Sequence, residues 1–314
     1  KGLALTVDGN ARYCALDPRA GGRIAVAEAA RNLSCVGAEP IGLSDCLNFG
    51  NPERPEVMWA FAEAVEGMAE ACRRLGVPVV SGNVSFYNET RGENIHPTPT
   101  VAMVGLLEEA ARRCPTAFRR AGDLVVLLGA SGGGEGPGLG GSLYLWEVLG
   151  LRRGPCPGVD LDREAALQSL CRRAAAEGIL TSCGDVSDGG LAAALAECAL
   201  SADPPVGVSV TVPWEGRPDE LLFGEGQGRA VASLSPDRLS RLEALGREAG
   251  VPLQVLGRVG GDRIEIGVAK GPGSPLRAVS AAVSDLWEAW HGGLERALGL
   301  SPDGRGAHPR RVVS

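Results

Sequence analysis

Met58, Phe61, Val65, Met68, Cys72 and Leu75 recur at alternating steps of three and four and stop at Gly76, after which Val77 to Val80 is an unbroken apolar run. The first pattern is one face of an amphipathic helix with glycine at its C-terminal cap, and the second is a strand. A helix that packs one face on a sheet and hands over to a strand through a single glycine restricts the chain to an architecture mixing both elements. The same grammar extends around it. Leu3 to Val7 predicts a strand closed by a turn at Asp8-Gly9-Asn10, and Ile24 to Val36 an alanine-rich helix ending near Gly37. Ile41 to Leu47 is a short apolar segment, and Thr98 to Leu107 supplies a further strand.

A polar break at Arg112-Arg113-Cys114-Pro115 and at Arg119 to Gly122 places a domain boundary at about residue 118. The expected units are therefore residues 1–118, residues 119–300 and a glycine-, proline- and arginine-rich tail, 301–314, that frays. The second core opens with the continuous apolar strand Leu124 to Leu128, followed by a glycine-rich loop from Gly129 to Gly141 and a helix from Ser142 to Leu149. Helices are expected at Asp162 to Ala175 and Gly190 to Leu200, and strands near Val208 to Val212, Ala230 to Leu234, Leu253 to Val259 and Ile264 to Val268. Leu276, Val279, Val283, Leu286, Trp290 and Leu294 keep the helical step and predict a last helix docked by an apolar stripe. The fold class that follows is α/β (α+β), a mixed-sheet domain followed by an α/β domain. With 314 residues, 44% hydrophobic and 22% charged, the chain can furnish both cores.

Charge narrows the partners. A net charge of −7 argues against nucleic acid and against an anionic membrane surface, since both need a positive field. A phosphorylated small molecule is compatible where metal ions carry the counter-charge. Lysine occurs only at Lys1 and Lys270, which leaves almost none for Schiff-base or phosphate-loop chemistry. The nine cysteines are spread singly, without a Cys-x-x-Cys pair or histidines at zinc-ligand spacing, and read as buried thiols in a reducing compartment. No apolar run is long enough to span a membrane and no signal region opens the chain, so a cytoplasmic location is expected. Lys1 stands in place of a methionine and leads straight into a strand, the pattern of a piece of something longer. His96, His291 and His308 have no evident nucleophile or carboxylate partner, which gives a hydrolase or thiol enzyme little support.

Four segments carry candidate chemistry, each with a plain structural alternative. Asp45, at the head of Asp45-Cys46-Leu47-Asn48-Phe49-Gly50-Asn51-Pro52, stands where a strand ends, a place suited to holding a nucleotide or metal; equally, the segment is a turn capping the following helix. In Ser81-Gly82-Asn83-Val84-Ser85, Gly82 lets a backbone approach phosphate, Asn83 offers a carbonyl oxygen to Mg²⁺ and Ser85 a hydroxyl to substrate, or a strand merely ends in a polar loop. Gly136-Pro137-Gly138-Leu139-Gly140-Gly141 matches a G-x-G-x-x-G pattern only formally, and a flexible surface loop explains it as well. Asp185 and Asp188 either share a Mg²⁺ or leave Asp188 to cap the helix beginning at Gly189. Glu225-Gly226-Gln227-Gly228-Arg229 is a further polar cluster, either substrate-binding or a hairpin turn.

Taken in order, Ala27 to Leu33, Val36 to Pro40, Asp45 to Pro52, Ser81 to Asn88, Pro97-Thr98-Pro99 and Asp185 to Leu191 resemble the second half of the phosphoribosylformylglycinamidine synthases. The resemblance covers nearly all of residues 1–300. Its Asn-Phe-Gly-Asn-Pro and Gly-Asn-Val-Ser-Phe-Tyr-Asn motifs are specific to that family. Asp-x-Ser-Asp-Gly-Gly is shared with the wider superfamily of aminoimidazole ribonucleotide synthetase. The resemblance implies an N-terminal domain that pairs with its counterpart in a first half, and an ATP- and Mg²⁺-dependent amidation. In that reaction ATP activates the formamide oxygen of formylglycinamide ribonucleotide as an iminophosphate, and ammonia from a glutaminase domain or subunit displaces phosphate. Carried over by position, it puts Asp45 and Gly82 on ATP, Asn83 on Mg²⁺ and Ser85 on the substrate, with Asp185, Asp188 and the glycine-rich loop as candidates for a structural nucleotide. The family's catalytic histidines, ATP-contacting lysine and acidic metal ligands belong to the missing N-terminal half, so this chain alone is expected to be inert. Two other readings stay open: a non-catalytic nucleotide-binding scaffold, and a related ATP-dependent synthetase of the same superfamily.

Overall fold

A computed structural model describes residues 1–131, 138–270 and 276–299; Gly136 and Pro137 of the glycine-rich loop and the tail 301–314 lie outside them. The first sheet is built from β1 (Gly2–Asp8), β2 (Glu39–Asn48), β3 (Val79–Ser85) and β6 (Thr98–Leu107), in the order β1-β6-β2-β3. A two-stranded hairpin, β4 (Glu89–Thr90) and β5 (Glu93–Asn94), decorates the β3–β6 connection. β2 and β3 run parallel and the other neighbours antiparallel, as the intervening helix requires.

One face of this sheet is covered by α2 (Pro18–Cys35) and α3 (Pro55–Leu75); the short α1 (Ala11–Leu16) precedes them. Asn10 caps α1 through its side-chain oxygen, and Asp17 caps α2 with Pro18 in the first turn, so α2 starts earlier than its apolar pattern suggests. The buried face of α3 is Ala60, Ala64, Gly67, Met68, Ala71 and Cys72, whereas Met58 and Val65 of the expected stripe are partly exposed. Small residues win this face because α2 crosses very close. A Cβ at Gly22 would sit on the Ala64 carbonyl, and one at Gly67 on the Arg19 carbonyl. Gly67→Val is therefore expected to cost about 1–3 kcal/mol through overpacking, read as a lower urea midpoint with an unchanged slope.

The second sheet has seven strands in the order β13-β12-β9-β11-β7-β10-β8. In chain order its elements are β7 (Leu124–Leu128), α4 (Leu161–Ala176), β8 (Ser182–Asp185), α5 (Gly190–Leu200), β9 (Val208–Pro213), α6 (Pro218–Phe223), β10 (Ala230–Leu234), α7 (Leu239–Ala249), β11 (Leu253–Val259), β12 (Arg263–Ala269), β13 (Leu276–Ala282), α8 (Val283–His291) and α9 (Gly293–Ala297). Every residue of β7 is buried: Val125 and Leu127 face the core under α5 and α6, and Leu124, Val126 and Leu128 the core under α4 and α7. A strand covered on both faces needs no polar alternation.

One sequence expectation holds in altered form and another fails. The helix expected at Ser142 to Leu149 is present over residues 143–149, but its centre, Tyr144–Val148, is π-helical. Residues 276–282, expected as helix, form β13, because pairing with the edge of β12 satisfies their backbone, and the helix begins at Val283. Trp290 and Leu294, expected in the docked stripe, are exposed. Among the described residues no helix is long and apolar enough to cross a membrane.

Candidate functional site

Parallel pairing of β2 with β3 sets Asp45 opposite Gly82, Cys46 opposite Asn83 and Asn48 opposite Ser85. Residues that pair share a face and successive residues alternate. Asp45 and Gly82 therefore belong to the helix-covered side, while Asn83 and Ser85 belong to the open side with Ser44, Ser81, Cys46 and Ala102. The Ser81–Ser44 hydroxyl bond, 2.7 Å, and the exposure of Cys46 and Ala102 mark that open side. The four candidate residues thus form two adjacent pairs on opposite faces of one sheet edge, and only at the edge does a ligand reach both.

Gly82 is fixed by Asp45: a Cβ there would lie 2.5 Å from Asp45 Oδ1. Burial raises the Asp45 carboxyl above its ordinary range, and the backbone N–H of Asn83 pulls it back. Ser85 is held by Asn88, whose Nδ2 donates to the Ser85 carbonyl at 3.0 Å and to the Phe49 carbonyl at 2.9 Å. The Asn94 side chain accepts from the Asn51 N–H at 2.8 Å and fills the space a Cβ at Gly50 would need. Phe49, Phe61 and Phe86 pack edge-on beneath, at 5.2 and 5.1 Å between centroids. The segments 48–52 and 82–88 are thereby clasped to each other.

A second constellation joins the sheets. Arg31, fully buried in α2, is ion-paired with Glu164 of α4, donates to Gln227 Oε1 at 3.0 Å, and has its Nε 3.7 Å from Asp185 Oδ2. Burial works against the Arg31 charge, and Glu164, Asp185 and Glu28 hold it protonated. Burial pushes Asp185 up to about 6 against the pull of Arg31, and raises Asp8, Glu28 and Glu225 as well. Asp188 is not the cap of α5. It accepts from Arg12 Nη2 at 2.8 Å and Asn10 Nδ2 at 3.2 Å, because Gly189 takes the cap position and gives its N–H to Glu225. Glu225 also accepts from the Leu143 N–H at 2.8 Å and from the Tyr13 hydroxyl, while Arg229 donates to the Gly226 and Gly224 carbonyls; the segment is a buried hub, not a hairpin turn.

The donor set of this second region suits Mg²⁺ in part. Its carboxylate oxygens are hard ligands, and Asp185 Oδ2 is buried with no hydrogen-bond partner. Yet among the described residues no three carboxylates converge within bonding reach of one ion. The fit is to an ion that takes one or two carboxylates and completes its shell with water and phosphate, not to an all-protein cage. Beside it, a cavity of about 350 Å³ is lined by Asn10, Arg12, His96, Ser142, Trp146 and Arg152 among others. Arg12 and Arg152 lie over the Trp146 ring, 5.5 and 4.2 Å from its centroid. The sequence signalled none of Arg12, Trp146, Arg152 or Glu164. For Arg31 it held one unused signal, a charge in the middle of an alanine-rich helix face.

Residues 1–107 match the family described as AIR synthase related protein, N-terminal domain, and residues 120–269 match AIR synthase related protein, C-terminal domain. The phosphoribosylformylglycinamidine synthase subunit PurL of Anaeromyxobacter sp. (strain Fw109-5) is 48% identical over 306 residues, 95% of this chain and 38% of that protein. The corresponding subunit of Moorella thermoacetica is 53% identical over 266 residues, 85% of this chain and 36% of that protein. The chain therefore spans well under half the length of these relatives. In fold it is similar to T. maritima PurL complexed with FGAR, with a TM-score of 0.75 at 20% identity over 91% of this chain and 46% of that one. It is also similar to the hydrogenase maturation protein HypE in complex with ATP, with a TM-score of 0.64 at 21% identity over 90% of this chain and 86% of that one.

Proposed function

We infer, from the premise that this chain belongs to the AIR synthase related protein family, that it is one half of a phosphoribosylformylglycinamidine synthase. The reaction is the ATP-dependent amidation of formylglycinamide ribonucleotide to formylglycinamidine ribonucleotide. What carries the reading is the near-complete alignment of this chain with little more than a third of each PurL relative. When bound, ATP supplies the phosphoryl group that activates the amide oxygen, and Mg²⁺ offsets the phosphate charge. This chain's part is to position. Asp45, kept in place by Gly82, faces the nucleotide from the helix side of the sheet edge, Asn83 offers its carbonyl oxygen to Mg²⁺ and Ser85 its hydroxyl to the substrate. The catalytic base and the remaining metal ligands come from the other half, and ammonia from a glutaminase domain or subunit. The nine free cysteines support a reducing, cytoplasmic setting.

The open face of the first sheet is where the other half packs. The test is formation of formylglycinamidine ribonucleotide with ATP, Mg²⁺ and high ammonia, by this chain alone and mixed with the remaining part of the synthase. Turnover in the mixture and none above background from the chain alone is expected; turnover from the chain alone would end the half-enzyme reading. One observation favours a scaffold role instead, the placement of Asn83 and Ser85 on the face opposite Asp45. Asn83→Ala in the assembled enzyme separates the two: a loss of turnover of about 10²-fold or more with assembly intact supports positioning, and unchanged turnover supports the scaffold.

A further inference from the structure

Three cysteines far apart in sequence meet where the two sheets' helices touch. Cys35 ends α2, Cys171 lies within α4 and Cys183 in β8, and all three are buried in one apolar cluster. Their sulfurs lie within 4.8 Å of one another, with Cys183 Sγ 4.0 Å from Cys171 Sγ. Among the described residues this is the one group of three metal-ligating side chains so gathered.

The spacing has a direct metrical meaning. Three sulfurs on an equilateral triangle with the 4.0 Å side seen here have a centre about 2.3 Å from each, which is the zinc–thiolate distance. At the outer separation of 4.8 Å the centre is about 2.8 Å away, so inward shifts of about half an ångström seat the ion. We propose that Cys35, Cys171 and Cys183 form a binding site for a soft, thiophilic metal ion, zinc(II) by size, that ties α2 of the first sheet to α4 and β8 of the second.

The chemistry is balanced by proton release, since each coordinating thiol gives its proton to solvent as the metal–sulfur bond forms. Three thiolates around Zn²⁺ leave one net negative charge. Arg31, one turn before Cys35, and Arg172, beside Cys171, are the cations placed to offset it. Cys114 belongs to the same buried cluster, but its sulfur is not one of the three gathered within 4.8 Å of one another. All three cysteines are buried, so the ion is taken up as the protein folds and exchanges slowly afterwards.

The experiment uses the full chain. Expressed with zinc in the medium and dialysed against EDTA, it should retain about one equivalent of zinc by elemental mass spectrometry. Unfolded with chelator and refolded with cobalt(II) alone, it should show near-ultraviolet thiolate-to-cobalt charge transfer and the visible bands of a tetrahedral site. Cys183→Ser should reduce both signals at least tenfold, and Cys156→Ser, outside the cluster, should keep them. Circular dichroism on each sample reports folding, and the wild-type result decides if Cys183→Ser does not fold. Folded wild type holding less than about a tenth of an equivalent of zinc, and taking up no cobalt on refolding, overturns the proposal. So does a disulfide joining two of Cys35, Cys171 and Cys183, identified by peptide mapping of the denatured, thiol-blocked chain.

Discussion

Arg31→Met lowers the free energy of unfolding by about 3–5 kcal/mol, seen as a fall in the urea midpoint at neutral pH. Arg31 is 0% exposed, and its guanidinium serves Glu164, Gln227 and Asp185 together. Methionine fills much of the volume, so the loss comes from charges left without a partner and not from a cavity. The pH dependence identifies the cause. Burial already raises Glu164 above its ordinary range, and Arg31 is what opposes it. Without Arg31 the folded-state pKa rises further above the unfolded value. A carboxyl shifted that way is more protonated folded than unfolded, so stability is retained at low pH and lost as pH rises through that window. The deficit of Arg31→Met is therefore smaller at pH 5 than at pH 8. Adding Glu164→Leu returns part of the loss at pH 8, because the stranded charge is gone. An equal deficit at both pH values would mean that Arg31 acts through packing alone.

Arg31 also marks where the sequence stops being legible. Elements governed by local pattern were readable. The strands Thr98–Leu107, Leu124–Leu128, Ala230–Leu234 and Leu253–Val259 and the helix Gly190–Leu200 have their expected bounds, because continuous or alternating apolar runs between turn residues leave few other choices. Elements decided by a distant partner were not. β13 exists because the edge of β12 accepts it, and helical spacing within the same residues pointed the other way. The short α6 and α7 went unread, although α7 ends at Gly250 in the left-handed conformation a helix terminus favours.

The candidate site divides along the same line. Motif residues were visible because they lie close in sequence, and the structure pairs Asp45 with Gly82 across β2 and β3. The period of two along β3 then places Asn83 and Ser85 on the other face, which a string of adjacent letters does not display until the sheet's covered side is known. Asp188 shows the converse. Its spacing from Gly189 suggested a local cap, and its actual partners, Asn10 and Arg12, come from the other end of the chain. The cysteines follow this rule too: single and unpaired in sequence, three of them converge through α2, α4 and β8.

Leu5→Glu leaves this chain's own stability within about 0.5 kcal/mol while weakening by about 100-fold or more the association with the other half that the proposed function calls for. Leu3, Leu5 and Val7 are 71%, 77% and 68% exposed, and Ile41 and Val80 extend the same unpartnered apolar surface. Leu5 stands opposite Val104 of β6, midway along the edge strand β1 and on the open face of the sheet. An exposed leucine contributes little to this chain's core, which is why its replacement is nearly neutral there. In a packed interface the new carboxylate loses its water without gaining a partner, a cost of about 3 kcal/mol or more, equivalent to that change in affinity. Sedimentation of the mixture reads assembly, urea unfolding of the chain alone reads stability, and turnover should fall with assembly in proportion. Full turnover and assembly in Leu5→Glu would move the pairing surface elsewhere without touching the half-enzyme reading, which rests on the complementation assay. Lost turnover with assembly intact would instead place Leu5 near the reacting groups, since a face that docks the partner and a face that meets the substrate respond differently to the same charge.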